Sequence, residues 1–252
     1  MTGLESIAAN TGAIKVVAEK SESLIKSLFG KAFDEVGEII ADQVKLRRFK
    51  NQISIFEKAQ KFLKEKNFDP QKVNLKVLAP LVEFSSYEED ENLQERWAKL
   101  IANILSRPSS IVIQQNAIEI LNRISNEEAT LLDKIYHTLQ FERNKRAQNQ
   151  PTHSLFPNDI KKPADYHVNL FSFNVNDLSK KLNISNDEIE TQISNLIALG
   201  TVKYETQIDV SNAQKSNSDP DDMELDIDLD VNDYENIKLT KLGLAFVELC
   251  TD

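Results

Sequence analysis

Apolar residues recur every three or four positions through most of the first half of the chain. The longest stripe extends from about residue 33 to residue 66, and Asp69-Pro70 ends it because proline disfavours helix at the preceding residue. Stripes of the same period cover three later segments, residues 91–106, 111–124 and 131–139. Such faces pack on one another. Residues 1–124 are therefore predicted to form an N-terminal helical bundle.

Pairs of Ser and Glu three positions apart precede several of these stripes. This spacing is typical of a capping box, in which the hydroxyl and the carboxylate each accept a hydrogen bond from a free backbone N–H. The pairs are Ser85 with Glu88, Ser86 with Glu89, Ser125 with Glu128, and Ser185 with Glu188. Each pair predicts the start of a helix.

The pattern changes in the second half. Residues 141–168 are polar, contain three prolines and show no period, which predicts a mobile insertion. Short helical stripes follow, and from Glu224 to Val231 acidic and aliphatic residues alternate strictly, as in a strand with one apolar face. The resulting order of helices followed by strands indicates a winged-helix-like domain over residues 125–252. The fold class is mainly α, with this second domain α+β.

Charge is distributed unequally along the 252 residues. The net charge is −10, with +1 on residues 1–168 and −11 on residues 169–252. Nine acids and no base lie between Asp219 and Glu235, so residues 211–235 are predicted to form an acidic wing. An acidic wing would be repelled by a nucleic-acid duplex.

Composition excludes several classes of protein. There is one cysteine, Cys250, which leaves no intrachain disulfide framework. No run approaches 18 apolar residues, and charged residues interrupt the first 30 positions, so we expect neither a membrane span nor a signal peptide. The expected location is the cytoplasm.

Candidate catalytic and metal-binding residues are few. The three histidines do not form a metal-ligand motif, and no phosphate-binding or nucleophile motif is present, so we expect no enzyme activity and no cofactor. Asp226, Asp228 and Asp230 suggest a calcium loop, but Val231 stands where that loop needs glycine. The alternation favours a solvated strand.

A basic cluster on the long helix is the main candidate for binding phosphate groups of nucleic acid or lipid. Its members are Lys45, Arg47, Arg48 and Lys50. A solvated helix face, paired with the acidic run, is the competing interpretation. In the winged-helix-like domain, the helix expected to contact DNA contains no Lys or Arg, which favours a protein partner.

Two segments resemble a bacterial family, the abortive-infection alpha family. Residues 42–58 resemble its long helix with an "RxKN" turn, and residues 75–105 resemble its Pro-containing segment followed by "EEDExLQxxWAxLLAN". That element maps onto Glu88, Glu89, Asp90, Glu91, Leu93, Gln94, Trp97, Ala98, Leu100, Ala102 and Asn103. The family's "LTxxGxxF" pattern maps onto Leu239, Thr240, Gly243 and Phe246.

The resemblance implies an antiphage protein that acts by abortive infection, with no known reaction. Trp97 and Asn103 become candidate interaction residues, or packing and hydrogen-bonding residues of the helix. The leading hypothesis is a non-enzymatic defence protein that contacts a phage or host protein and can form homo-oligomers. Alternatives are a nucleic-acid-binding regulator that uses the basic cluster, and a membrane-disrupting toxin that uses residues 12–44.

Overall fold

The structure is a computed structural model, and it describes the main chain of most of the sequence. The described residues are 16, 19–28, 46–68, 72–107, 109–149, 161–215 and 225–251, and the side chains of residues 46, 47 and 206–235 lie outside the description. The described part is mainly helical with a small three-stranded sheet, which confirms the mainly α prediction. Its contacts form two units, Met1–Ala129 with Ala245–Asp252, and Thr130–Leu244.

The first unit is built from helices. A helical segment at residues 19–28 precedes four helices, which are α1 (Leu46–Glu65), α2 (Leu75–Ser85), α3 (Glu91–Ser106) and α4 (Ile111–Leu121). Helix α1 packs along α3, and α2 packs on α4. The side chains buried at the centre of this core include Ile55, Phe56, Ala59, Trp97, Leu100 and Ile101. The apolar stripes seen in the sequence are the faces that meet there.

Helix α2 continues through Pro80 as a single helix. Proline has no N–H, so the carbonyl of Lys76, one turn earlier, lacks its usual helical donor. The side chain of Gln115 on α4 donates to that carbonyl, at an Nε2–O distance of 3.4 Å. A neighbouring helix thus supplies the donor that the sequence of α2 lacks.

Two of the predicted helix starts differ from the structure. Ser85 is the last residue of α2 and Ser86 follows it, whereas Asp90 caps α3 by accepting from the backbone N–H groups of Asn92 and Leu93 at 2.9 and 3.0 Å. Asp90 holds the cap because its carboxylate lies immediately before the helix.

The other two predicted starts coincide with helix starts. At Ser125 and Glu128 both bonds of the capping box form, at 2.7 and 3.2 Å. At Ser185 the hydroxyl accepts from the backbone N–H of Glu188 at 3.2 Å.

The second unit combines helices with the sheet. In chain order its elements are α5 (Asn126–Gln148), two 3-10 turns at Pro163–Asp165 and Val168–Leu170, β1 (Phe173–Asn174), α6 (Val175–Leu182), α7 (Asn186–Ala198), β2 (Val202–Lys215), β3 (Leu225–Leu239) and α8 (Lys241–Cys250). The unit boundaries fall inside α5 and α8. The sheet is antiparallel in the order β1-β3-β2, with Phe173 opposite Ile237 and Val202 opposite Leu239.

Helix α5 continues into the segment predicted to be a polar insertion. It ends at Gln148, although residues 141–148 show no apolar stripe. Arg143 is only 6% exposed, and its Nε donates to the carbonyl of Tyr166 at 3.1 Å, so a polar side chain secures the added turns. Residues 150–160 of that segment lie outside the described residues.

A close approach of two main-chain segments defines the start of α8. The Thr240 hydroxyl accepts from the backbone N–H of Gly243 at 2.9 Å and donates to the carbonyl of Gly200 at 2.6 Å. A Cβ atom on Gly243 would overlap the backbone carbonyl of Thr201. This position therefore requires glycine, which explains two residues of the "LTxxGxxF" pattern.

Candidate interaction site

The predicted basic cluster on α1 is described in part. Lys45 lies outside the described residues, as does the side chain of Arg47. Lys50 is exposed, whereas Arg48 is half-buried and bonded to the loop that follows α2. The two described side chains thus have different surroundings, one solvent and the other protein.

Arg48 and Asn51 hold the turn between α2 and α3, which we call the Ser86 turn (residues 85–90). The Nε of Arg48 donates to the Ser86 hydroxyl at 2.9 Å, and its guanidinium carbon lies 3.9 Å from the centre of the Tyr87 ring. Asn51 Nδ2 donates to the Ser86 carbonyl at 3.2 Å. Hydrogen bonding and cation–π attraction together fix this turn on α1.

A second row of amide side chains extends the same network. Gln52 is 1% exposed, and its Nε2 donates to the carbonyl of Val82 at 3.1 Å while its Oε1 accepts from the Ser21 hydroxyl at 3.0 Å. The Ser54 hydroxyl donates to Gln94 Oε1 at 2.9 Å. Buried amides are paired in this way because an unpaired one would cost about 1–3 kcal/mol.

Glu88 lies inside the Ser86 turn. Its Oε1 accepts from the backbone N–H groups of Glu89 and Asp90, each at 3.0 Å, and its own carbonyl accepts from Gln94 Nε2 at 3.0 Å. Burial raises the pKa of the Glu88 carboxyl, and the neighbouring Asp90 carboxylate adds to the rise, whereas the two N–H donors oppose it. The turn therefore holds an acid whose charged form is disfavoured.

Trp97 is the largest side chain at the centre of the first unit. It is 1% exposed, and in the described part of the chain its indole Nε1–H has no partner at hydrogen-bond geometry. The nearby indole also opposes the rise of the Glu88 pKa, and it does so less than the backbone N–H donors. Trp97 is thus enclosed in the core rather than presented to a partner.

Asn103 connects α3 to the end of the chain. Its Nδ2 donates to the carbonyls of Leu249 and Thr251 at 2.9 and 3.1 Å, and the side chain is 4% exposed. The last carbonyls of a helix have no partner within the helix, and Asn103 satisfies two carbonyls at the end of α8. Cys250, between those residues, is buried.

For the predicted acidic wing, the structure describes only the main chain of residues 211–215 and 225–235. Asp226 and Asp230 lie on β3 opposite Gln214 and Asp209 of β2, and Asp228 lies between them. This agrees with the predicted strand at these positions, and the side chains of the three aspartates lie outside the described residues.

The two described histidines, His137 and His167, occupy surface positions. His137 is exposed on α5 with its ring edge-on to Tyr136, and the Nδ1 of His167 accepts from the backbone N–H of Asn169 at 3.2 Å. His153 lies outside the described residues. Within the described part of the chain, no three His, Cys, Asp or Glu side chains are grouped as metal ligands would be. Likewise, no described helix is long and apolar enough to cross a membrane.

Comparison with known proteins assigns the family. A family model described as abortive infection alpha matches residues 41–250, which is most of the chain. The chain belongs to the abortive infection alpha family. The search of curated proteins found no match, and neither did the search of solved structures. The family's name connects it to abortive infection.

The abortive infection alpha pattern coincides with the network around the Ser86 turn. Arg48 and Asn51 of "RxKN", and Asp90 and Gln94 of "EEDExLQ", all bond to the loop or cap the helix. The sequence motifs contain Asn51 and Gln94, but neither was predicted to be a functional residue. The signal that could have found these two residues is a polar side chain among the apolar positions of a helical stripe.

Proposed function

We propose that the second unit of this abortive infection alpha protein is a winged helix. The order α5, β1, α6, α7, β2, β3 is that of a helix-turn-helix followed by a wing, and the sheet order β1-β3-β2 places the two long strands side by side. Asn183 forms the turn between α6 and α7 with a left-handed backbone, φ 57°. In this proposal α7 is the helix that contacts a partner.

The exposed face of α7 carries the argument for a protein partner. Asp187, Glu188 and Glu190 are exposed there, and the helix has no Lys or Arg. The hydroxyls of Thr191 and Ser194 donate to carbonyls of their own helix, each at 2.8 Å, so they offer little to a base edge. Phosphate backbones require basic side chains, so an acidic face favours a basic protein surface.

The whole chain then acts in abortive infection through protein contacts and without catalysing a reaction. The first unit serves as a scaffold, because four polar side chains of its family pattern are engaged in hydrogen bonds within it, namely Arg48, Asn51, Gln94 and Asn103. The second unit binds the phage or host partner. A nucleic-acid-binding regulator is the alternative, and it would rely on Arg48, Lys50 and their basic neighbours.

A phage-challenge assay tests the proposal. Bacteria that express the chain should form fewer plaques with at least one phage of a broad panel, and the triple variant Asp187→Asn, Glu188→Gln, Glu190→Gln should lose that protection. The matched control changes three exposed acids elsewhere, Glu83, Glu119 and Glu127, to Gln, and should protect normally.

Three results would contradict the proposal or a part of it. One is protection that the triple variant retains in full. Another is a salt-sensitive DNA mobility shift that disappears, together with protection, in Lys50→Ala, because this would favour the regulator. Hydrolysis of nucleotides or nucleic acid by the purified chain would overturn the non-enzymatic part.

A further inference from the structure

The second unit contains a cavity between two helices and the first strand. Its volume is about 290 Å³, and α5, residues 170–174 and α6 form its walls. This volume is close to the lower limit of ordinary ligand pockets, which accept a small molecule or one anchoring side chain. None of the sequence motifs discussed above lies in it.

The floor of the cavity is apolar. Phe171, Phe173 and Leu178 are 5%, 7% and 2% exposed, so they form a packed surface. Leu170 lies at the margin with 55% of its surface exposed. An apolar group entering the cavity would cover Leu170 and contact this floor.

The margin of the cavity carries two acids and two bases. Glu142 and Arg146 lie four residues apart on α5, and Asp177 and Lys181 lie four residues apart on α6. Elsewhere in the chain, acids and bases at this spacing form ion pairs at 2.7 to 3.8 Å, namely Glu22 with Lys26, Glu95 with Lys99, and Lys61 with Glu65.

At the cavity these ion pairs do not form within the part of the chain that the structure describes. Arg146 instead places its guanidinium carbon 4.4 Å from the centre of the Phe171 ring, and Tyr166 donates to its backbone carbonyl at 3.3 Å. Within the described residues, the charged groups of Glu142, Asp177 and Lys181 therefore form no ion pair at the margin of the cavity.

We infer that this cavity binds a short peptide segment of a partner protein, with one bulky apolar side chain on the floor and charged residues of both signs beside it. The inference rests on the proposed action through protein contacts. The two carboxylates balance the two bases, so a phosphate or nucleotide would gain little there. An apolar anchor with charged flanks matches both the floor and the margin.

The test titrates the full chain with short peptides and follows backbone amide shifts by NMR. The probes are acetyl-Lys-Phe-Asp-amide and its reversed order, acetyl-Asp-Phe-Lys-amide. At least one should shift the amides of Ser172, Asn174 and Leu178, while acetyl-Lys-Ala-Asp-amide should leave them unchanged.

Charge variants define the site. Lys181→Gln and Glu142→Gln should each raise the dissociation constant of the Phe-containing peptide that binds by about two- to fivefold, as expected for the loss of one exposed ion pair. Lys180→Gln and Glu127→Gln are the matched controls and should bind as the unmodified chain does. The inference would be overturned if millimolar peptide caused no amide shifts, or if the variants and the controls had equal effects. It would also be overturned if inorganic phosphate shifted the same amides.

Failure of this inference and failure of the proposed function give different results. If the peptides do not bind but protection still depends on the acids of α7, only the cavity assignment falls. If the peptides bind but the chain protects against no phage, the cavity assignment stands and the proposed function falls.

Discussion

The side chain of Asn103 and the main chain of Leu249 are joined by a hydrogen bond of 2.9 Å across 146 positions of sequence. The amide nitrogen of Asn103 also reaches Thr251, at 3.1 Å, so one buried side chain satisfies two carbonyls at the end of α8. This bond attaches the end of the chain to the helix that carries Trp97. Asn103 is therefore a positioning residue within the first unit.

Asn103→Ala should destabilise the first unit by about 1–3 kcal/mol, because the substitution leaves buried carbonyls without a donor. The fluorescence of Trp97, the single tryptophan of the chain, reports unfolding of this unit in urea. Asn116→Ala, an exposed position on α4, is the matched control and should change the free energy of unfolding by less than about 0.5 kcal/mol. Equal effects of the two variants would contradict the role of Asn103.

Arg48 and Tyr87 should be coupled energetically. The Arg48 guanidinium carbon lies 3.9 Å from the centre of the exposed Tyr87 ring, so a double-mutant cycle of Arg48→Gln and Tyr87→Leu should give a coupling energy of about 0.5–1 kcal/mol from urea unfolding. The control cycle combines Lys50→Gln with Tyr87→Leu. Because Lys50 is exposed, this cycle should give a coupling energy near zero. Additive effects in the first cycle would show that the Ser86 turn does not depend on this contact.

The apolar stripes predicted α1, α3 and α4 of the first unit, and residues 33–45 of the longest stripe lie outside the described residues. The period on α3, from Leu93 through Trp97 and Leu100, continues across the buried face as the sequence indicates. Alternation from Glu224 likewise predicted the strand β3. On α3 local periodicity and tertiary burial agree, which is the condition under which a single sequence is informative.

The network around the Ser86 turn could not be predicted in the same way. The capping-box spacing pointed to Ser85 and Ser86, whereas the cap of α3 is Asp90, whose third following residue is Leu93 and which therefore lies outside that pattern. Asn51 likewise is of a polar residue type that is common on protein surfaces. Its role depends on the backbone carbonyl of Ser86, 35 positions away. The continuation of α5 to Gln148 could not be predicted for the same reason. It depends on the bond of Arg143 to the distant Tyr166 rather than on an apolar stripe.

Glu88 should make the first unit less stable as the pH rises. Its raised pKa means that the folded state binds the proton more tightly than the unfolded state does. Its stabilising contribution is complete below the ordinary glutamate value of 4.5 and is lost as the pH rises through the higher folded value. The free energy of unfolding of the unmodified chain, relative to Glu88→Gln, should therefore fall from pH 4.5 to pH 7.

Glu91→Gln is the control for this pH dependence. Glu91 is exposed in the first turn of α3, so its variant should follow the unmodified chain across the same range. Glutamine at position 88 keeps an oxygen that can accept from the N–H groups of Glu89 and Asp90, so the variant changes charge more than bonding. The prediction would be refuted if the free energy of unfolding of the unmodified chain, relative to that of Glu88→Gln, stayed constant or increased with pH.

Gly243→Ala should be among the most damaging single-methyl changes in the second unit. The added Cβ would overlap the backbone carbonyl of Thr201, and main chain cannot rotate aside as a flexible side chain can. The Thr240 cap on Gly243 would have to lengthen as well, so we expect a loss of about 1–3 kcal/mol. Lys241→Ala, an exposed change in the same turn, should be nearly neutral. Urea unfolding followed by circular dichroism, with amide hydrogen exchange at Leu244, measures both, and normal protection of Leu244 in Gly243→Ala would show that the two main-chain segments can separate at little cost.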